Sequence, residues 1–145
     1  MKIMVSACLL GDNVKYNGGN NQNDNLIAFL KKHDVIKVCP EVMGGLLIPR
    51  VASEINGNMV LNKEGNNVTD YFDKGAKNVL ELAKKEKIEV AILKERSPSC
   101  GSEYIYDGTF SNQIIKGEGI TTKLLKENNI IVLNENNYKE YFKCI

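Results

Sequence analysis

The chain has 145 residues, of which 43% are hydrophobic and 26% charged, and its nineteen basic side chains nearly balance eighteen acidic ones to leave a net charge of +1. That length suits one domain with a real core, burying roughly 70% of its unfolded surface, and the charge balance excludes a strong electrostatic footprint for duplex nucleic acid. No apolar run reaches transmembrane length, and Met1 to Ser6 passes into a strand pattern without the features of a signal peptide, so the expectation is a cytoplasmic protein with no membrane partner.

Ile3 to Cys8 reads as the first strand, broken by Leu9-Leu10-Gly11 and Asp12-Asn13. A polar loop from Tyr16 to Asn21 follows. Asn23 or Asp24 then caps a helix carrying Leu26, Ile27 and Leu30 on one face, ending near Lys32-His33. Val35 to Cys39 is the second strand, stopped by Pro40. Glu41 to Arg50 reads as an irregular loop. Residues 51–67 offer little beyond an edge strand at Met59-Val60-Leu61, between turns at Asn56-Gly57 and Glu64-Gly65. Thr69 is read as the N-cap of a helix with Asp70 at its positive end. Phe72, Ala76, Val79, Leu80 and Ala83 recur along it at helical spacing, and Lys84 to Lys87 close it.

The run Val90-Ala91-Ile92-Leu93 is a fully apolar third strand. It ends in the turn Ser97-Pro98-Ser99-Cys100-Gly101. A polar loop from Tyr104 to Phe110 includes the turn signal Asp107-Gly108. Gly119 precedes a helix with Leu124 and Leu125, Ile130 to Leu133 is a fourth strand, and Tyr138, Tyr141 and Phe142 mark a last short helix. Strands alternating with helices imply βαβ units. The expected fold is α/β: a single-domain, Rossmann-like three-layer sandwich around a mainly parallel sheet.

Cys8, Cys39 and Cys100 each close an apolar strand-like run. If those strands are neighbours in a parallel sheet, their carboxyl ends share one edge, the edge at which open α/β sheets bind ligands. Three thiols far apart in sequence would then meet. Free cysteines in a reducing compartment read as ligands, nucleophiles or buried apolar residues before disulfides. Soft thiolates favour zinc or iron–sulfur clusters, and three protein ligands leave one position open for chemistry. The plainer alternative is that these thiols fill core space. Cys144 stands outside the pattern and reads as a tail cysteine; as a fourth ligand it would close the site.

Other signals are weaker. Gly18-Gly19 and Gly44-Gly45 lack the order of a phosphate-binding loop. His33, the only histidine, follows a surface helix, which argues against a Ser–His or Cys–His triad. Arg50 is expected to pair with Glu41 or Glu54. Lys84-Lys85 reads as a solvated helix end.

The blocks Ser6-Ala7-Cys8-Leu9-Leu10-Gly11, Val14-Lys15-Tyr16-Asn17-Gly18-Gly19, Cys39-Pro40-Glu41-Val42-Met43-Gly44-Gly45-Leu46, Pro49-Arg50, Ser97-Pro98-Ser99-Cys100-Gly101 and Tyr106-Asp107-Gly108-Thr109-Phe110 are ordered over nearly the whole chain. Together they resemble the family long catalogued as domain of unknown function 523, whose characterised members are thiouracil desulfidases. The resemblance implies a [4Fe–4S] cluster held by Cys8, Cys39 and Cys100, with Glu41 and Ser97 as the catalytic pair. From the residues themselves, Ser6, Ser99, Gly101, Arg50 and Asp107 are expected around the cluster or substrate. Two departures stand out. Lys15-Tyr16-Asn17 replaces a frequent Arg-Tyr-Asp, which removes a carboxylate near Cys8, and Leu47 replaces a proline.

The implied activity is non-redox: water displaces the sulfur of a thiolated pyrimidine such as 2- or 4-thiouracil, and sulfide leaves through the open iron. Glu41 would take the water's proton. Ser97 would bond the ring or relay a proton, while Ser99 and amides near Gly101 bond cluster sulfurs or substrate oxygens. A small-molecule thiolated pyrimidine suits the near-neutral charge better than thiolated tRNA. The oligomeric state is not legible. The competing reading is a non-enzymatic metal or iron–sulfur module, for sensing or structure. A metal-free thiol oxidoreductase is disfavoured because no C-x-x-C is present.

Overall fold

A computed structural model describes residues 1–143; Cys144 therefore lies outside the described residues. Four strands form the central sheet: β1 (Lys2–Ser6), β2 (Asp34–Val38), β5 (Val90–Leu93) and β8 (Ile131–Asn134), in the order β2-β1-β5-β8 and all parallel. Alternate residues serve opposite faces. Met4, Ala91, Leu93 and Val132 point to a core shared with Val79 and Ala83 of α3 (Thr69–Lys85) and Leu125 of α4 (Ile120–Glu127). Ile3, Val5, Val90, Ile92 and Leu133 point to a second core with Leu26 and Leu30 of α1 (Asp24–Leu30) and Tyr138 of α5 (Tyr138–Lys143). The sheet is thus the middle of three layers, as expected.

The order also creates a switch point. From β1 the chain crosses to β2 on one side, and from β5 it crosses to β8 on the other. Right-handed crossovers place α1 on one face and α3 and α4 on the opposite face. Where the two directions part, between the carboxyl ends of β1 and β5, a doubly wound sheet leaves a crevice.

Several boundaries differ from expectation, each for a local reason. The first strand stops at Ser6, and Cys8 lies in a short 3-10 turn, Ala7–Leu10, ended by Gly11 at φ 98°. Residues Pro40–Met43, expected as loop, form the single turn α2, with Cys39 at its N-cap and Pro40 supplying a pre-set φ. Asn23 caps α1 as expected, its side chain accepting from Leu26 N. Thr69 does not cap α3: its hydroxyl donates to Asn67 Oδ1 and accepts from Val60 N, and Val68 occupies the cap position.

Two hairpins complete the chain. β3 (Ser53–Asn56) pairs with β4 (Met59–Asn62) across the Asn56-Gly57 turn. β6 (Tyr104–Tyr106) pairs with β7 (Ile114–Lys116), where only a polar loop was expected. Among the described residues no helix is long and apolar enough to cross a membrane.

Candidate active site

Residues that follow β1, β2 and β5 line one cleft of about 360 Å³ at the switch point. β1 contributes Ser6 and Cys8, β2 contributes Cys39 and Glu41, and β5 contributes Lys94 to Cys100. Three thiols separated by up to 92 positions are thus brought to one opening because their strands are neighbours.

Each position is set by a different device. Cys39 and Glu41 ride on α2, which is pressed against α3 at two glycines. A Cβ on Gly75 would lie 2.0 Å from Pro40 O, and one on Gly44 would lie 2.0 Å from Tyr71 O. Asn78 Nδ2 of α3 donates to Met43 O at 2.9 Å and closes this contact. Only glycine permits so close a backbone approach.

The loop after β5 is folded around a buried carboxylate. Glu95 accepts from the backbone N–H groups of Arg96 (3.2 Å), Ser102 (2.7 Å) and Glu103 (3.2 Å), and from Asn134 Nδ2 (3.1 Å). The same loop offers its carbonyls to the start of α4. Ile120 N donates to Pro98 O, Thr121 N to Ser99 O, Thr122 Oγ1 to Cys100 O and Gly119 N to Gly101 O. Loop and helix therefore satisfy each other's unpaired backbone groups. Neither Glu95 nor this capping had a signature in the sequence, since carboxylate-to-amide bonds require only that a backbone pass nearby.

Hydrogen bonds join the cleft residues into one network. Glu41 is held from both sides: Arg50 Nε lies 3.4 Å from Oε1 and Ser99 Oγ donates to Oε2 at 3.1 Å. Arg50 Nη2 also donates to Val14 O, tying the loop after β1 to the same carboxylate. The expected alternative pair of Arg50 with Glu54 is absent, because Glu54 is turned to the amides of Gly108 and Phe110 instead. Ser97 Oγ accepts from Ser99 N (3.1 Å) and Cys100 N (2.9 Å) and lies 2.9 Å from Ser99 Oγ. Its oxygen is occupied by two amides, so its proton is the group left to point at Ser99.

The sulfurs have polar neighbours of their own. Asn21 Nδ2 donates to Cys8 Sγ at 3.5 Å, while Ser6 Oγ and Ser99 Oγ lie 3.8 and 3.5 Å from Cys100 Sγ. Burial pushes all three thiols up from their ordinary range. For Cys8 the Asn21 bond works against it, for Cys39 the first amides of α2 do so, and Cys100 is raised to about 12. Without a metal the thiols hold their protons at neutral pH.

Two expected neighbours stand elsewhere. Gly101 does not line the cleft. It is packed inside its loop, its N–H donating to Ser97 O at 2.9 Å and therefore not free for a ligand. Asp107 is spent on Thr109, accepting from its N–H and hydroxyl, and its role is to shape the loop. His33 packs on Phe29 and Phe142, away from the cleft. Asn21 and Glu95 line the cleft without a sequence signal that placed them there, and Glu54 and Phe110, legible only as a partner for Arg50 and as part of a motif, line it too.

A doubly wound sheet with a thiol-lined cleft at its switch point defines an α/β protein whose candidate site is built on three cysteines. The family model described as 2-thiouracil desulfurase matches residues 3–137, and the chain belongs to that family. It is 39% identical over 144 residues to the uncharacterized protein YbbK of Bacillus subtilis (strain 168), covering 92% of this chain and 95% of that one. Its structure resembles that of TudS, a [4Fe-4S]-dependent thiouracil desulfidase, with a TM-score of 0.91, 41% identity and 99% of each chain covered.

The donor set suits such a cluster. Three soft sulfurs line the cleft, and no fourth cysteine is present among the described residues. Among those residues no group of three His, Cys, Asp or Glu side chains is gathered to hold one metal ion. A cubane makes a different demand, since each protein ligand binds its own iron.

Proposed function

We propose that this chain acts as a single cytoplasmic iron–sulfur desulfidase domain over residues 1–145. It would remove sulfur hydrolytically from a thiolated pyrimidine, 2- or 4-thiouracil or a close relative, with Cys8, Cys39 and Cys100 holding a [4Fe–4S] cluster. The observation that carries the reading is the meeting of three thiols, the Glu41 carboxylate and the Ser97–Ser99 hydroxyl pair on one cleft. Family membership and the likeness to a [4Fe-4S]-dependent thiouracil desulfidase support it.

When bound, the cluster supplies a Lewis-acidic iron with an open position for a soft thiocarbonyl sulfur. The chain's own residues do the rest. Glu41, braced by Arg50 and Ser99, accepts a proton from the attacking water. A carbon–oxygen bond forms, the carbon–sulfur bond breaks, and sulfur departs as sulfide without change of oxidation state. Ser97, its oxygen fixed by two amides, presents its hydroxyl proton to Ser99, which in turn bonds Glu41. The two hydroxyls thus form a chain of donors that ends on Glu41 and holds its carboxylate in place. The net charge of +1 favours a small molecule over thiolated tRNA.

The test is anaerobic reconstitution followed by incubation with 2- and 4-thiouracil and, in parallel, thiolated tRNA. Stoichiometric sulfide and uracil are expected with the free bases. An intact cluster that releases no sulfide from any of them would leave a non-enzymatic iron–sulfur module as the function.

A further inference from the structure

Three aromatic side chains line the cleft: Tyr16, Tyr106 and Phe110. Phe110 is the anomalous one. Its backbone lies in the left-handed region at φ 57°, where bulky side chains are rare. Gly108 and Asn112 on either side are also left-handed, at 92° and 63°, but these residue types adopt that conformation readily. Nor does core packing explain the phenylalanine, since it belongs to none of the three apolar cores among the described residues. It is an aromatic ring held at the wall of an open cleft by a backbone that costs energy to maintain, an arrangement that collects at functional sites.

Glu54 maintains it. This carboxylate is only 8% exposed. Its Oε1 accepts from both Gly108 N (3.0 Å) and Phe110 N (3.1 Å). Gly108 also sits against β3, where a Cβ would lie 2.7 Å from Ile55 O. A buried acid on one hairpin therefore clamps the bend of the other and fixes the direction of Phe110.

We propose that Phe110 is the face on which the substrate's pyrimidine ring stacks, and that Glu54 is the positioning residue that keeps it there. The proposal deepens the desulfidase reading and rests on it for the identity of the ring. A pyrimidine offers a flat π-surface that an aromatic side chain recognises without hydrogen bonds.

The test measures binding of uracil, the product ring, to the cluster-loaded protein by calorimetry, alongside kcat and KM for thiouracil. Phe110→Ala and Phe110→Leu should weaken uracil binding and raise KM by about tenfold, with a smaller change in kcat. Phe110→Tyr should recover most of the affinity. Glu54→Ala should raise KM in the same direction, and Glu54→Gln should restore it, because both amides bond one oxygen that an amide side chain retains. Wild-type affinity in Phe110→Ala, recovery by leucine as complete as by tyrosine, or absence of uracil binding to the wild type would each overturn the proposal. Wild-type protein that binds uracil in a Phe110-dependent way yet releases no sulfide would refute the desulfidase reading and leave the stacking face standing.

Discussion

Ser99 Oγ donates to Glu41 Oε2 at 3.1 Å, joining two loops that are 58 positions apart in the chain. The bond links the turn after β5 to the turn after β2 across the end of β1, and it lies between the proposed base and Ser97. Removing either partner should therefore read out differently. Glu41→Gln should lower sulfide release at least about a hundredfold, the scale of a lost general base, with iron and acid-labile sulfide unchanged. Ser99→Ala should lower kcat less, about tenfold, by leaving Glu41 held from one side. Equal activity in Ser99→Ala and wild type would show that the bond only fills space.

Cluster loading separates Cys39 from Cys100. Cys39 is half-buried at the N-cap of α2, a position where serine is favoured. Cys39→Ser should abolish the visible absorption and bound iron while leaving the unfolding midpoint of the cluster-free protein nearly unchanged. Cys100 is packed in the core with Leu93 and Leu125. Cys100→Ser should lose the cluster and also cost about 1–3 kcal/mol of stability, the penalty of a buried hydroxyl whose hydroxyl neighbours, Ser99 and Ser6, are spaced for sulfur at 3.5 and 3.8 Å. Full iron content in either variant would remove that residue from the ligand set.

Stability of the cluster-free protein should fall in alkali. Burial raises the Cys100 thiol from 9.0 to about 12. Between those values the unfolded chain has released a proton that the folded state still holds, so rising pH favours unfolding. The contribution is whole below pH 9 and is lost progressively toward pH 12, at up to about 1.4 kcal/mol per pH unit. Urea unfolding at a series of alkaline pH values should show this slope, and Cys100→Ala should reduce it to the part that the raised Cys8 and Cys39 thiols contribute. A slope unaltered by the substitution would place the titrating group elsewhere.

Gly75→Ala should be more damaging than a methyl group on a helix usually is. The new Cβ would lie 2.0 Å from Pro40 O, so α2 must move off α3 and carry Cys39 and Glu41 with it. A loss of about 1–3 kcal/mol is expected from overpacking, together with reduced cluster retention, measurable by denaturant unfolding and iron content. Full retention of both would mean that α2 has slack.

Glu95→Ala should strand the buried amide of Ser102 and the part-buried amides of Arg96 and Glu103. A cost of about 3 kcal/mol is expected, with faster hydrogen exchange at Ser102. Unchanged exchange there would indicate that the loop is held mainly by its bonds to α4.

Much of this architecture is written along the chain. Val90 to Leu93 is apolar at every position because both faces of β5 are covered, and the period-3.6 pattern of Phe72, Ala76, Val79 and Ala83 matches the buried face of α3. The three thiols at the ends of apolar runs, and the parallel sheet that makes those ends neighbours, were likewise legible, because hydrophobic periodicity and strand–helix alternation are local properties. Tertiary structure alone decided what each polar group does once buried. Glu95, Glu54 and Ser97 bond to backbone amides, and every residue but proline carries one, so no side-chain pattern announces the partner. The β6–β7 hairpin escaped for a related reason: Ile114, Ile115 and Lys116 are all exposed, and a strand without a buried face shows no alternation. Apolar burial leaves a periodic trace in sequence, whereas a hydrogen bond made across 58 positions is set by where the sheet brings two loops together.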